Sequence, residues 1–413
     1  MGIENCFDII EKLNFVRISG TPEEAEAARI LIEECKAAGV EAQEETFPTK
    51  DGCVEETYLE VLEPYNKVYT AIAYRRSGCA DAEAEMVYAE DALDVNLADV
   101  KGKIIYINTG VNKTNYEKLV KAGPVCVITG SGTVLDKDDE TDLLQGMLRP
   151  VNTDEMEDRL CAVTVREKDL FEMIVKGASK AKVVVKAHDF ENTSRNVLAF
   201  IKGTKYPDEV IAFTAHMDTT QCSHGTYDNA AGSAILMALA RCYAKNPPAR
   251  SLRFIWTGSE ERGLLGSKYF VSAHADEVKN TRLCINVDLA ASIAGHDFAI
   301  VTGPEALTNH IDMLMKESGR AVAVKTDTYS SDCIPFADSG VPAVSLGRFG
   351  APGMSYIHNR YDVIEYTSAA SLAKTCEMVM YFTDKCVNAC VLPFERKISD
   401  DMKKKIDNYL QRK

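Results

Sequence analysis

The stretch Val210-Ile211-Ala212-Phe213-Thr214-Ala215-His216-Met217-Asp218 decides the fold. Its first five residues are a short run rich in β-branched and aromatic side chains, the signature of a buried strand. An imidazole and a carboxylate follow at its carboxyl end. Outward from it, residues 252–256, 282–287, 298–302 and 343–346 read as strands of the same kind. Residues 230–244, 266–273, 305–317 and 367–387 carry helical periodicity and fall between or after them. That alternation predicts an α/β fold, a three-layer α/β/α sandwich around a mixed central sheet.

In an open α/β sheet, ligands bind in the crevice beyond the carboxyl ends of the strands. Several side chains of metal-ligand type fall there. His216 and Asp218 follow the first strand, and Asp228 immediately precedes the helix at 230–244. Glu260 and Glu261 lie just past the strand ending at Trp256, Asp288 closes the strand 282–287, and His358 comes from the late loop 350–360. Zinc takes imidazole and carboxylate donors at ~2.0–2.2 Å and keeps a position open when catalytic. Two histidines, two aspartates and a glutamate suffice for two ions, with manganese or cobalt compatible with the same donors. The expected arrangement bridges the ions with Asp228, places His216 and Glu261 on one, and places Asp288 and His358 on the other. Glu260, whose side chain diverges from that of its neighbour, is the candidate general base. Asp218 is the candidate acceptor for the second imidazole N–H of His216, and Asp362 a weaker support for the His358 loop.

Each of these residues has a bland reading of its own. Asp228 could cap a helix, the Glu260–Glu261 pair could complement a helix dipole, and Asp288 could be a solvated strand-end carboxylate. Their ordered co-occurrence is what points to a site. His188, His274, His296 and His310 lack partner spacing and are assigned no role, while Cys222 and His224 read as loop decoration.

The order of motifs also resembles a known family. The strings Asn196-Val197-Leu198-Ala199-Phe200-Ile201-Lys202-Gly203-Thr204, Thr214-Ala215-His216-Met217-Asp218, Tyr227-Asp228-Asn229-Ala230-Ala231-Gly232-Ser233 and Thr257-Gly258-Ser259-Glu260-Glu261-Arg262-Gly263 are similar to those of the two-zinc aminopeptidases. That family includes bacterial leucyl aminopeptidases and glutamate carboxypeptidases. The likeness continues through Asn286-Val287-Asp288, Ser331-Asp332 and Ile357-His358-Asn359-Arg360-Tyr361-Asp362. It implies a zinc-exopeptidase fold and two zinc ions on His216, Asp228, Glu261, Asp288 and His358. It further implies Glu260 as base, Asp218 as orienter and Tyr329 as a substrate-binding group. The implied activity is metal-dependent hydrolysis at the N-terminus of peptides. The alternatives are a carboxypeptidase or dipeptidase of the same family, a single-zinc aminoacyl cyclase, and a non-catalytic binding scaffold.

At 413 residues the chain exceeds the ~250–300 over which a single core usually grows. The sequence divides into a peptidase part, 1–60 and 190–413, and an inserted part, 61–189. The insert reads as short strands at 67–74, 103–108, 125–129 and 182–187 with helices at 116–122 and 168–176, interrupted by the acidic run 136–142. Through Asp99-Val100-Lys101-Gly102-Lys103-Ile104-Ile105 and Lys121-Ala122-Gly123-Pro124 it loosely resembles a protease-associated domain. A net charge of −15 without a basic patch argues against nucleic acid and anionic membrane as partners. Thirteen dispersed cysteines fit reduced thiols, and with an N-terminus unlike a secretory signal they lead to the expectation of a cytoplasmic protein whose partner is a peptide substrate. A homo-oligomer is compatible with this reading, and the oligomeric state is left open.

Overall fold

The structure, a computed structural model, describes residues 6–137, 142–148 and 159–412, so part of the acidic run 136–142 lies outside the described residues. The chain forms two compact units, residues 1–49 with 193–413 and residues 50–192. The insert is thus longer at both ends than the 61–189 expected. The chain passes between units within two strands of 22 residues, Ala42–Glu63 and Lys180–Ile201. The second of these extends past the end at residue 187 read from sequence, where Asp189 and other polar residues interrupt the apolar pattern.

In the larger unit we number the sheet strands β1 (Lys180–Ile201), β2 (Tyr206–His216), β3 (Arg250–Thr257), β4 (Thr281–Val287), β5 (Gly295–Thr302), β6 (Val322–Thr326) and β7 (Ala343–Gly350). Their spatial order is β6-β5-β7-β4-β2-β3-β1. β3, β2, β4 and β7 are parallel, whereas β1 runs antiparallel to β3 and β5 antiparallel to β7. The sheet is mixed, as expected. β2 is central, and the chain moves to one side of it for β3 and to the other for β4. That reversal opens the crevice at the carboxyl ends of these strands. β6, Val322-Ala323-Val324-Lys325-Thr326 with no residue fully buried, is a short edge strand that was not read from sequence.

Alternate side chains of each strand feed opposite layers. Ile211, Phe213 and Ala215 of β2, Phe254 and Trp256 of β3, and Leu283, Ile285 and Val287 of β4 face one core with the helices Phe7–Lys12, Pro22–Ala37, Ala231–Lys245, Glu305–Glu317 and Ala369–Val387. Ala212, Ile255 and Cys284 face the other, against Leu265–Ala273, Ala275–Asn280, Cys333–Asp338 and Asp400–Tyr409. Phe213 stacks on Phe254 at 5.0 Å and Phe254 on Trp256 at 6.1 Å. Burying each of these rings is worth ~2–3 kcal/mol, which fixes β2 against β3.

The helix Ala231–Lys245 begins with Ala231-Gly232-Ser233-Ala234, small residues that bring it close to the sheet. A Cβ on Gly232 would stand 2.4 Å from the carbonyl oxygen of Val287. The helix Pro22–Ala37 is capped by the Thr21 hydroxyl, which accepts from Glu24 N, with Pro22 at the first turn.

The unit 50–192 has its own cores. Strands Ala80–Tyr88, Ile104–Ile107, Cys126–Ser131 and Ala162–Arg166 run parallel in that order, flanked by antiparallel partners. Leu119 of the helix Tyr116–Ala122 packs with Ile105, Ile107 and Val127, whereas Leu170 and Met173 of Glu167–Val175 pack with Ile104, Ile128 and Val163. The strand Ala80–Tyr88, built of Ala alternating with Asp and Glu, was absent from the sequence reading because alanine gives a weak β signal. Among the described residues no helix is long and apolar enough to cross a membrane.

Candidate metal centre

His216 is the last residue of β2, and Asp228 lies in the wide helical turn Thr226–Ala230 before the helix Ala231–Lys245. Glu260 and Glu261 follow β3, and Asp288 follows β4. His358, in the loop after β7, has a left-handed backbone with φ of 61°. The five residues expected as ligands converge. His216 Nε2 stands 3.0 Å from Asp228 Oδ1 and 3.5 Å from Asp288 Oδ1. His358 Nε2 stands 3.1 Å from Asp228 Oδ2 and 3.0 Å from Glu261 Oε1. Asp228 thus presents one oxygen to each of two donor clusters. This grouping differs from the expected one: His216 associates with Asp288, and His358 with Glu261. The spacing of residues along the sequence could not distinguish these pairings.

The donor set fits a pair of zinc ions. Tetrahedral ligands at ~2.0–2.2 Å from one ion stand ~3.4 Å from each other, and the separations here are 3.0–3.5 Å. Asp288 Oδ1 is buried and faces His216 Nε2 at 3.5 Å. Burial alone would lower both imidazoles. For His216 the hydrogen bonds to Asp228 and Asp288 prevail and hold it well above its ordinary value. For His358, Asp228 and Glu261 do the same and push it up to about 11. Bound metal would act in the opposite sense, since ligation needs neutral histidine.

The Asp218 carboxylate has a different partner from the one expected. His216 Nδ1 lies 3.1 Å from the backbone oxygen of Asp218 and 3.8 Å from its Oδ1. The carboxylate instead accepts the backbone N–H groups of Glu260, at 3.0 Å, and Glu261, at 3.3 Å. A peptide carbonyl therefore fixes the imidazole, and the side chain fixes the Glu260–Glu261 pair. Burial raises Glu260 well above the ordinary carboxylate range despite the opposing pull of His216, with Glu261, Asp332 and Asp288 adding to the rise. Cations at the two clusters would act in the opposite sense.

Three further groups frame the site. Asp362 Oδ1 accepts from Tyr227 N at 2.8 Å and Thr226 Oγ1 at 3.1 Å, and its Oδ2 from Asp228 N at 3.1 Å, a stronger attachment than the loop support expected of it. Asp332, buried, accepts from the hydroxyls of Thr257 and Ser267. Arg17, fully buried, reaches backbone carbonyls on the loop between His216 and Asp228. Its guanidinium is pushed down to about 10 by burial, against the attraction of Asp362, Asp218 and Asp228. Arg17 escaped the sequence reading because it lies between two helices in Phe15-Val16-Arg17-Ile18, with no motif around it.

Tyr329 sits against Phe298 and Phe349, with ring centroids 5.6 and 6.1 Å away. Burial raises its hydroxyl, reinforced by Asp288 and Asp228. Phe349 stacks on Phe298 at 3.9 Å, while Met354 and Tyr356 are about half exposed. Of the histidines left without a role, two are held structurally: His274 Nε2 meets Glu45 Oε1 at 2.5 Å, and His310 packs between Phe382 and Phe394. His224 Nδ1 turns away to Asn14 Oδ1 at 2.9 Å.

A mixed sheet with these donors at its carboxyl edge defines a zinc-exopeptidase fold. Residues 196–383 match the model of peptidase family M28. The chain is 27% identical over 301 residues to aminopeptidase YwaD of Bacillus subtilis, covering 68% of this chain and 62% of that one. Over 124 residues it is 32% identical to a probable leucine aminopeptidase 2 of Aspergillus fumigatus, covering 30% of this chain and 25% of that one. The matched stretches thus span less than two thirds of these relatives. Among solved structures, an aminopeptidase from Aneurinibacillus sp. strain AM-1 is 25% identical with a TM-score of 0.74, covering 96% of both chains. The zinc aminopeptidase BSAP from Bacillus subtilis superposes with a TM-score of 0.77 at 21% identity, covering 97% of this chain and 98% of that one.

Proposed function

We propose that this chain is a two-zinc aminopeptidase that removes residues from the N-termini of peptides. The observation that carries this reading is the division of the donors about Asp228, with His216 and Asp288 at one oxygen and His358 and Glu261 at the other. Zinc, when bound there, supplies Lewis acidity that lowers the pKa of water and polarises a peptide carbonyl. Glu260 takes the proton from the attacking water and delivers it to the leaving amine. Asp218 holds the backbone of Glu260 so that its carboxyl stays directed at the site while Glu261 binds. The Tyr329 hydroxyl donates to the carbonyl oxygen of the scissile bond, and Met354 and Tyr356 offer apolar contact to side chains of the peptide.

The names of the matched aminopeptidases support N-terminal rather than C-terminal cleavage. We further propose that residues 50–192 are a protease-associated-like module and that the protein works in a reducing compartment, as its dispersed thiols suggest. The test is hydrolysis of aminoacyl-coumarins and of peptides blocked at either end, with and without chelator and added zinc, alongside metal counting. Cleavage that survives blocking of the N-terminal amine but not of the C-terminal carboxylate would overturn the aminopeptidase reading. A metal content of one per chain would overturn the two-ion reading.

A further inference from the structure

The turn that carries Asp228 is held from both of its polar sides. On the carbonyl side, the guanidinium of Arg17 donates from Nε to Met217 O at 2.7 Å, from one terminal nitrogen to His224 O at 2.6 Å, and from the other to Gly225 O at 3.1 Å. The same group is anchored to its own segment through Phe15 O at 2.8 Å and Leu13 O. Arg17 N also donates to Thr219 Oγ1 at 2.9 Å. On the amide side, Asp362 receives Tyr227 N and Asp228 N. Within residues 224–228 the carbonyls of His224 and Gly225 are therefore held by a cation and the amides of Tyr227 and Asp228 by an anion, both buried. Gly225, with φ of 57°, permits the approach: a Cβ there would stand 3.1 Å from an Arg17 nitrogen and 2.5 Å from Asp228 O.

No carboxylate lies within ion-pair distance of Arg17 among the described residues, so its charge is balanced by carbonyl dipoles and the field of the site. A buried cation without a direct counter-ion is costly to keep. A structural tie alone could be supplied by a neutral donor. The geometry instead places fixed positive charge behind a cluster of carboxylates and fixes the position of the one that faces both donor clusters.

We propose that Arg17 and Asp362 act as a positioning pair that sets the zinc affinity of the centre by fixing the turn bearing Asp228. This rests on the two-zinc reading above. Neither residue touches the metals or substrate, and both act through the backbone of residues 217–228. Lysine cannot replace Arg17, since a point ammonium cannot span carbonyls on two segments as the planar fork does.

Zinc dissociation constants, measured by competition with a chromophoric chelator on the full chain, test this. Arg17→Met and Asp362→Asn should each weaken at least one zinc by about 10- to 100-fold, the range typical of groups that orient metal ligands. Arg17→Lys should weaken it by at least 10-fold. Leu314→Ala, in the distant helix Glu305–Glu317, serves as a control for general destabilisation and should retain wild-type affinity. Affinities of Arg17→Met and Arg17→Lys within threefold of wild type would overturn the proposal. So would an equal zinc loss in Leu314→Ala at a matched drop in melting temperature. If Arg17→Met does not fold, Arg17→Lys and Asp362→Asn carry the decision. A wild-type chain that binds no zinc would refute the zinc reading itself, which separates that failure from this one.

Discussion

The carboxylate of Asp218 accepts the backbone N–H of Glu260 at 3.0 Å, so a buried anion one strand away fixes the main chain from which the candidate base projects. The second oxygen of Asp218 receives Glu261 N at 3.3 Å. One side chain therefore sets the positions of both neighbours, the glutamate proposed to move protons and the glutamate proposed to bind metal. Replacing Asp218 with Asn turns an amide NH2 toward one of these N–H groups. Turnover should fall about 10- to 100-fold. Because the imidazole of His216 faces a backbone carbonyl rather than this carboxylate, zinc at the His216 cluster should be weakened less than catalysis. Steady-state kinetics alongside metal titration checks both expectations.

Glu260→Gln removes the proton acceptor while keeping shape and polarity. General-base catalysis contributes about 10²–10⁴-fold, and the loss should fall in kcat with zinc content unchanged. Wild-type turnover in this variant would remove Glu260 from the proton-transfer role.

Chelation should abolish hydrolysis, and added zinc should restore it. It should also lower the melting temperature, because a ligand present at 100 times its Kd stabilises the folded state by about 2.7 kcal/mol per site. Differential scanning calorimetry with and without zinc reads this, and an unchanged melting temperature would count against binding at the folded site.

Gly232→Ala places a methyl group against Val287 O and Asn229 Oδ1. Asn229 ties the Asp228 turn to the end of β4 by donating to Val287 O at 2.8 Å. Overpacking here should cost about 1–3 kcal/mol of stability. It should also weaken zinc binding, since Asp228 and Asp288 flank the strained contact. Chemical denaturation and metal titration of the variant test the two parts separately.

Asp189 in the inserted unit meets Arg159 at 2.7 and 2.8 Å and Arg76 at 2.9 Å. Burial would raise its carboxyl, but the hydrogen bonds from Arg159 and Arg76 prevail and hold it below its ordinary value. A depressed folded pKa gives stability that is fully present above the unfolded value of ~3.9 and is lost as pH falls through the folded value. Asp189→Asn should therefore be less stable than wild type at neutral pH and should show a shallower loss of stability below about pH 4. Acid unfolding followed by circular dichroism tests the difference.

The strands that were legible from sequence are those whose side chains are buried on both sides, such as β2 and β4. Their apolar runs have no competing explanation. β6 and the strand Ala80–Tyr88 were not legible, since exposed Lys325 and the alternating acids of Ala80–Tyr88 resemble solvated loop. At the site, residue types and their order at strand ends picked out side chains that the structure brings together. Which donor associates with which depends on the depth at which each loop folds back, a property that spacing does not carry. Asp218 has one side chain within reach of both His216 and Glu260, and only the three-dimensional structure separates those partners. Arg17 marks the limit of such reading, because what makes it important is five carbonyl groups that have no side-chain signature.

The contacts of Arg17 with Met217, His224 and Gly225 join residues 200–208 positions apart in the chain. At synthesis rates of about 5–20 residues per second, the N-terminal segment waits roughly 10–40 s on the ribosome before those carbonyls emerge. During that interval the whole of residues 50–192, with its own cores, is made and free to fold. The helices Phe7–Lys12 and Pro22–Ala37 meanwhile have apolar faces without their native cover. The turn bearing Asp228, which also leans on Asp362, can thus reach its final form only after most of the larger unit has been synthesised, which makes its completion a late event in the life of each nascent chain.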